Sequence, residues 1–126
     1  MTLFRPLLLS ALLLAGPVAT AQANGTADMQ ACKAMAATLT PKQAEIAEMT
    51  AKRDEAASAV ETTGEAWEDI EIHRRASAGH AAQADTAKAA YDEAKKLLAR
   101  HELALQASVR QYNDDVAAFN SRCAKK

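Results

Sequence analysis

A chain of 126 residues with 15 lysines and arginines against 16 aspartates and glutamates carries a formal net charge of −1, which offers no electrostatic footing for a nucleic acid. Four glycines, three prolines and 4% aromatic residues leave no strand pattern to compete with helix. The length, less any leader, suits one small domain.

Residues 1–23, MTLFRPLLLSALLLAGPVATAQA, have the three parts of a cleaved secretory signal peptide. Arg5 supplies the positive start, and Ala21-Gln22-Ala23 the small-x-small cleavage pattern. Leu7 to Ala15 form an apolar run well short of the ~20 residues a membrane-spanning helix needs. A lipoprotein signal would need cysteine where Pro17 stands. The mature chain is therefore expected to begin near Asn24, in the periplasm or outside the cell, with no membrane span after cleavage.

In such an oxidising compartment Cys32 and Cys123, near opposite ends of the mature chain, are expected to form one disulfide. Neither has a cysteine or histidine neighbour at metal-ligand spacing. Closing so long a loop stabilises by about 4 to 5 kcal/mol in the chain-entropy account.

Residues 24–38 read as a lead-in with a short helix over about 27–37, and 39–126 as the main body. TLTPKQAEI is a helix start: Thr40 can cap, Pro41 suits the first helical position, and Gln43 can reach back. From there a seven-residue rhythm runs through Leu39, Ile46, Arg53, Val60, Trp67 and Arg74, with Met49, Ala56, Thr63, Ile70 and Ser77 as its second row. The rhythm crosses Gly64 without changing phase, so Gly64 reads as a weak point inside one helix rather than a turn. A second ladder follows: Ala84, Ala87, Tyr91, Ala94, Leu98, Leu105, Val109, Tyr112, Val116 and Phe119, ending at Cys123. It slips by one residue between Leu98 and Val109, the mark of a local stutter. Gly79 separates the ladders and reads as the left-handed cap of the first arm, with His73, Arg74 and Arg75 suiting the negative end of its dipole.

The predicted fold is all-α: a long antiparallel two-helix hairpin, coiled-coil-like, with arms over about 40–77 and 80–123, a turn near Ser77–Gly79 and its ends tied by the disulfide. If Cys32 faces Cys123, residues whose numbers add to about 155 face one another, and the midpoint falls at the turn. This pairing puts Leu39 by Val116, Ile46 by Val109, Arg53 by Glu102, Gly64 by Tyr91, and Trp67 near Tyr91 and Lys88.

No catalytic constellation accompanies this architecture, and an elongated hairpin has no concave floor on which to gather one; no enzyme activity and no cofactor are expected. The acidic stretch Asp54, Glu55, Glu61, Glu65, Glu68, Asp69 and Glu71 is expected to pair across the arms with Lys88, Lys95, Lys96 and Arg100. At the tip, His73, Arg74, Arg75 and His80 form a candidate interaction surface. His73 and His80, with Asp69 or Glu71, are a candidate metal or pH-sensing set, although two histidines across a turn are a weak ligand pattern and metal is not the favoured reading. His101 falls at a half-buried seam position as a packing residue, and Trp67, Leu97 and Leu103 are candidates for a dimer face.

LTPKQAEIAEM, Leu39 to Met49, resembles the L-T-x-x-Q motif that opens helices in the Spy and CpxP group of small periplasmic stress chaperones. That resemblance covers about a dozen residues and implies ATP-independent binding of unfolded clients on an apolar concave face. The family pattern carries a second copy of the motif and a four-helix cradle, and this chain has one copy and one hairpin. The expected function is an exported, periplasmic coiled-coil protein that works through a protein partner or a homodimer, as spacer, adaptor or small chaperone. The alternative is a metal- or pH-responsive sensor using the histidine tip and the acidic arm.

Overall fold

The computed structural model of the protein describes residues 25–124; the expected signal peptide over 1–23 lies outside them. Two helices of 46 residues each, α1 (Thr26–Glu71) and α2 (Ala78–Cys123), pack antiparallel as a hairpin, each about 69 Å long at 1.5 Å per residue. The predicted two-helix hairpin is thus the fold, and the Cys32–Cys123 disulfide joins its open end with Cα atoms 5.7 Å apart.

Helix runs further at the N-terminus than the cap signals predict. α1 starts at Thr26 and passes through Pro41, so the short helix over 27–37 and the first arm are one element. Gly25, at φ 131°, supplies the left-handed residue ahead of it. An interior proline removes one backbone hydrogen bond and costs about 3 kcal/mol. Here packing outweighs it. Cys32 and Leu39, on the N-terminal side of Pro41, bury against Phe119 and Cys123 of α2, with Met35, Ala36, Tyr112 and Val116 around them. Pro41 itself is exposed, on the side of α1 turned away from this cluster. Thr40 therefore caps nothing.

The turn differs from expectation in a different way. α1 ends at Glu71, and residues 72–77 connect the helices through tight three-residue hydrogen bonds such as His73 N–H to the Ile70 carbonyl at 3.0 Å and Arg74 N–H to the Glu71 carbonyl at 3.0 Å. Ser77, extended at φ −164° and ψ 167°, caps α2 by accepting from His80 N–H at 3.2 Å. Gly79 therefore lies in the first turn of α2 without a positive φ, and is not the left-handed cap of α1. A serine hydroxyl that satisfies an orphan N–H outranks a glycine two residues later. His73, Arg74 and Arg75 fall just beyond α1, whose last turn holds no basic residue.

The α1 seam keeps the predicted rhythm. Positions 46, 53, 60, 67 and 74, with 49, 56, 63 and 70, are wholly or partly buried, and a third row at 50, 57, 64 and 71 joins them. On α2 the seven-residue rhythm 84, 91, 98, 105, 112, 119, with 87, 94, 101, 108 and 115, runs without interruption. The expected stutter is absent. What reads as a slip in sequence is a third row, Val109, Val116 and Cys123, that widens the seam toward the disulfide. Apolar residues change flank there because His101, Ser108 and Asp115 occupy the second row.

The wholly buried residues are few: Cys32, Leu39, Ile46, Ala56, Ala84, Phe119 and Cys123 among those described. Four of these make one cluster at the disulfide. Toward the turn, Ala84 alone is wholly buried on α2, so area burial there contributes little and polar contacts hold the arms.

Candidate functional site

Helical periodicity carries three groups of side chains toward the turn. Trp67, Glu71 and Arg74 lie on the seam face of α1 and its continuation; Asp85, Lys88, Tyr91, Asp92 and Lys95 lie on the facing turns of α2. His73, Arg75, Ser77 and His80 sit on the connection and first turn.

Trp67 stacks on Tyr91 with ring centroids 5.6 Å apart and planes within 19°. The pairing rule places these residues together, and it also places Tyr91 over Gly64. A Cβ at Gly64 would stand 3.2 Å from the Tyr91 ring, so the missing side chain is what lets the ring lie against α1. Lys88 Nζ lies 5.7 Å from the Trp67 ring centroid and Lys95 Nζ 4.3 Å from that of Tyr91. Asp92 bridges both lysines, at 2.6 Å to Lys88 and 3.0 Å to Lys95, and the two ammonium groups hold its carboxyl below the usual carboxylate range.

Beside this clasp runs a polar chain that crosses the turn. Trp67 Nε1–H donates to Glu71 at 3.2 Å, Arg74 Nε–H donates to the same carboxylate at 2.8 Å, and Arg74 Nη1–H donates to Asp85 on α2 at 2.8 Å. The Arg74 guanidinium pulls the Glu71 carboxyl below its ordinary value, while the two carboxylates raise that of Arg74. Arg74 is at the core position its heptad requires. The signal for its partner is in the sequence too: the pairing rule points at Ala81, and one helical turn further along that face is Asp85.

The expected charge ladder across the arms is not formed as drawn. Lys88, Lys95 and Lys96 pair within α2, with Asp92 and Glu93, three or four residues away. Nearby partners on one helix cost less side-chain ordering than partners across a seam. Arg53 does not meet Glu102; its Nε is 3.0 Å from Asp54 without hydrogen-bond geometry, and is buried without another partner. Three cross-arm polar contacts do form besides the aromatic ones: Arg74–Asp85, Lys42–Asp115 and Gln43 to the Tyr112 hydroxyl. Residues 43 and 112 obey the pairing rule.

At the tip, the His73 and His80 rings stand 6.1 Å apart at 55°. The structure does bring the two together, but Glu71 is committed to Arg74 and Trp67, and His80 Nδ1 is 2.8 Å from Ser77 Oγ. No three histidine, cysteine, aspartate or glutamate side chains are grouped to hold a metal ion among the described residues. Ser77 is the cap of α2.

The proposed dimer-face residues do not share a face. Trp67 is half-buried on Tyr91, Leu97 is 40% exposed beside the seam, and Leu103 is 67% exposed on the outer side of α2. Six residues of helix separate the two leucines, about 120° around the axis. Ile72, 77% exposed in the turn, adds an apolar group to the tip. A shallow groove lined by Lys42, Glu45, Ile46, Ser108 and Gln111 opens on the flank opposite the aromatic clasp.

These features define a class, a disulfide-closed antiparallel helical hairpin with a charged tip. Comparison of the chain with protein-family models, with curated proteins and with solved structures finds no match to any of them. The two helices do not form the four-helix cradle that the Leu39–Met49 resemblance implies. No helix among the described residues is long and apolar enough to cross a membrane.

Proposed function

We propose that the chain is an exported, periplasmic spacer or adaptor that acts through protein–protein interaction, presenting the charged tip to a partner. The observation that carries this reading is the ratio of surface to core: two helices about 69 Å long share one narrow seam with seven buried residues among those described. Such a rod positions its ends and offers no enclosed floor for chemistry, so we propose no enzyme activity. Export rests on the tripartite leader and is supported by the disulfide, which suits an oxidising compartment. A spacer or adaptor is favoured over a chaperone because the described residues form two helices packed along one seam rather than a four-helix cradle. The metal- or pH-sensor alternative through His73, His80, Asp69 and Glu71 is carried by no observation, since Glu71 and His80 already have partners.

The test places a photo-crosslinking residue at Arg75, and separately at Ala51 on the outer side of the mid-arm, in the chain expressed in its own cell envelope. A discrete adduct to a protein other than this chain, formed from position 75 and not from 51, is expected. Equal labelling from both positions, or none, overturns tip recognition. Mass spectrometry of the purified chain should find a mature start near Asn24; an intact Met1 start would sink export.

A further inference from the structure

The two flanks of the hairpin are unlike. On the flank of the aromatic clasp, Lys88, Lys95 and Asp92 crowd the seam. On the other, heptad arithmetic aligns Ala59 and Ala66 of α1 with Ala90, Leu97 and Ala104 of α2, with no lysine, arginine, aspartate or glutamate among them or in the adjoining seam row 56, 63, 70, 87, 94 and 101; Lys52, beside Ala104, closes the row on α1. Leu97 is the large exposed residue of this strip, and the facing α1 positions are alanines. At its outer edges stand Glu55 on α1 and Arg100 on α2, both exposed and both without an ion pair among the described residues.

We propose that this alanine-lined stretch of the flank, from Lys52 toward the turn, is the interface of a homodimer in which two hairpins lie tip beside tip, related by a two-fold axis parallel to the helices. The proposal deepens the protein-interaction reading, because it names a second copy of this chain as one partner. Charge decides the arrangement. With the axis along the hairpin, α1 of each copy covers α2 of the other, and residues whose numbers add to 155 meet between copies as they do within one. Glu55 then faces Arg100 of the second copy, twice by symmetry. Leu97 of each copy enters the alanine trough near Ala59 of the other. With the axis across the hairpin, α1 would lie on α1, setting the acidic edges of Glu55 and Asp69 against each other. The strip spans about 30 Å along the helices and two helix widths, about 20 Å, hence about 600 Å² per copy. Two such faces reach roughly 1,200 Å², the low end of specific interfaces, which fits a reversible dimer.

Sedimentation velocity of the purified disulfide-bonded chain tests this, with circular dichroism verifying that each variant stays helical. The wild type is expected to dimerise reversibly; Leu97→Glu should leave monomer, and Leu103→Glu, on the outer side, should behave as wild type. Glu55→Arg and Arg100→Glu should each weaken the dimer about tenfold, and the double swap should recover it to within about threefold. A monomer at the highest concentration reached overturns the proposal. So does a double swap no better than either single change, or Leu103→Glu as damaging as Leu97→Glu. A monomer that still gives the tip adduct at position 75 defeats the dimer and leaves the adaptor reading standing. A dimer with no tip adduct does the reverse.

Discussion

The two ends of the hairpin hold the same seam by different physics. At the open end a covalent bond and a cluster of Cys32, Leu39, Phe119 and Cys123 exclude water. At the turn, the arms are joined by an aromatic stack and by Arg74 reaching from Glu71 to Asp85, all partly solvated. Burial and loop closure act at any neutral salt or pH, whereas exposed ion pairs contribute little and are screened. The contrast assigns stability to one end and adjustability to the other, and the adjustable end carries the candidate recognition groups.

Reduction attacks the stable end and has the largest expected effect. Cutting the Cys32–Cys123 link, which closes a separation of 91 residues, should cost about 4 to 5 kcal/mol in urea unfolding. Amide exchange should then rise first around Leu39 and Phe119; uniform loosening of both ends would show that the disulfide does not act locally.

Next in size is the close approach of Tyr91 to Gly64, about two helical turns before the end of α1. Gly64→Val should force Tyr91 off Trp67 and destabilise by about 1 to 3 kcal/mol, read by near-ultraviolet dichroism. Gly64→Ala sets a tight 3.2 Å contact against the better helix propensity of alanine, about 1 kcal/mol, and should come out near neutral. A Gly64→Val variant with an unchanged aromatic signal would remove the stack from the account of the tip.

The smallest effect is electrostatic and belongs to the turn. Arg74 holds the Glu71 carboxyl below its ordinary value of 4.5 in the folded state. Its contribution is therefore present above the unfolded value and is lost as pH falls through the folded one. Trp67 fluorescence, sensitive to its Glu71 partner, should change on acidification with a midpoint below 4.5, and Glu71→Gln should abolish the change. A midpoint at or above 4.5 would contradict the Arg74 clamp. Over the same range the disulfide end should stay protected from amide exchange.

Much of this was legible in the chain. Seven-residue periodicity, together with two cysteines read as one disulfide, determined two helices, their direction and their register. The same offset placed Tyr91 on Gly64 and Gln43 beside Tyr112, because an antiparallel pair has one free register parameter and one disulfide removes it. What tertiary structure alone decided are the choices among near-equal local options. Pro41 signals a helix start, yet the buried cluster on its N-terminal side carries α1 through it. Gly79 and Ser77 both mark the turn, and the hydroxyl took the cap. Lys88 and Lys95, which the pairing rule sets alongside the acidic stretch of α1, took Asp92 on their own helix, where less side-chain freedom is lost. Sequence patterns fix what repeats along a helix; contacts that depend on a single turn's geometry are settled when the two arms meet.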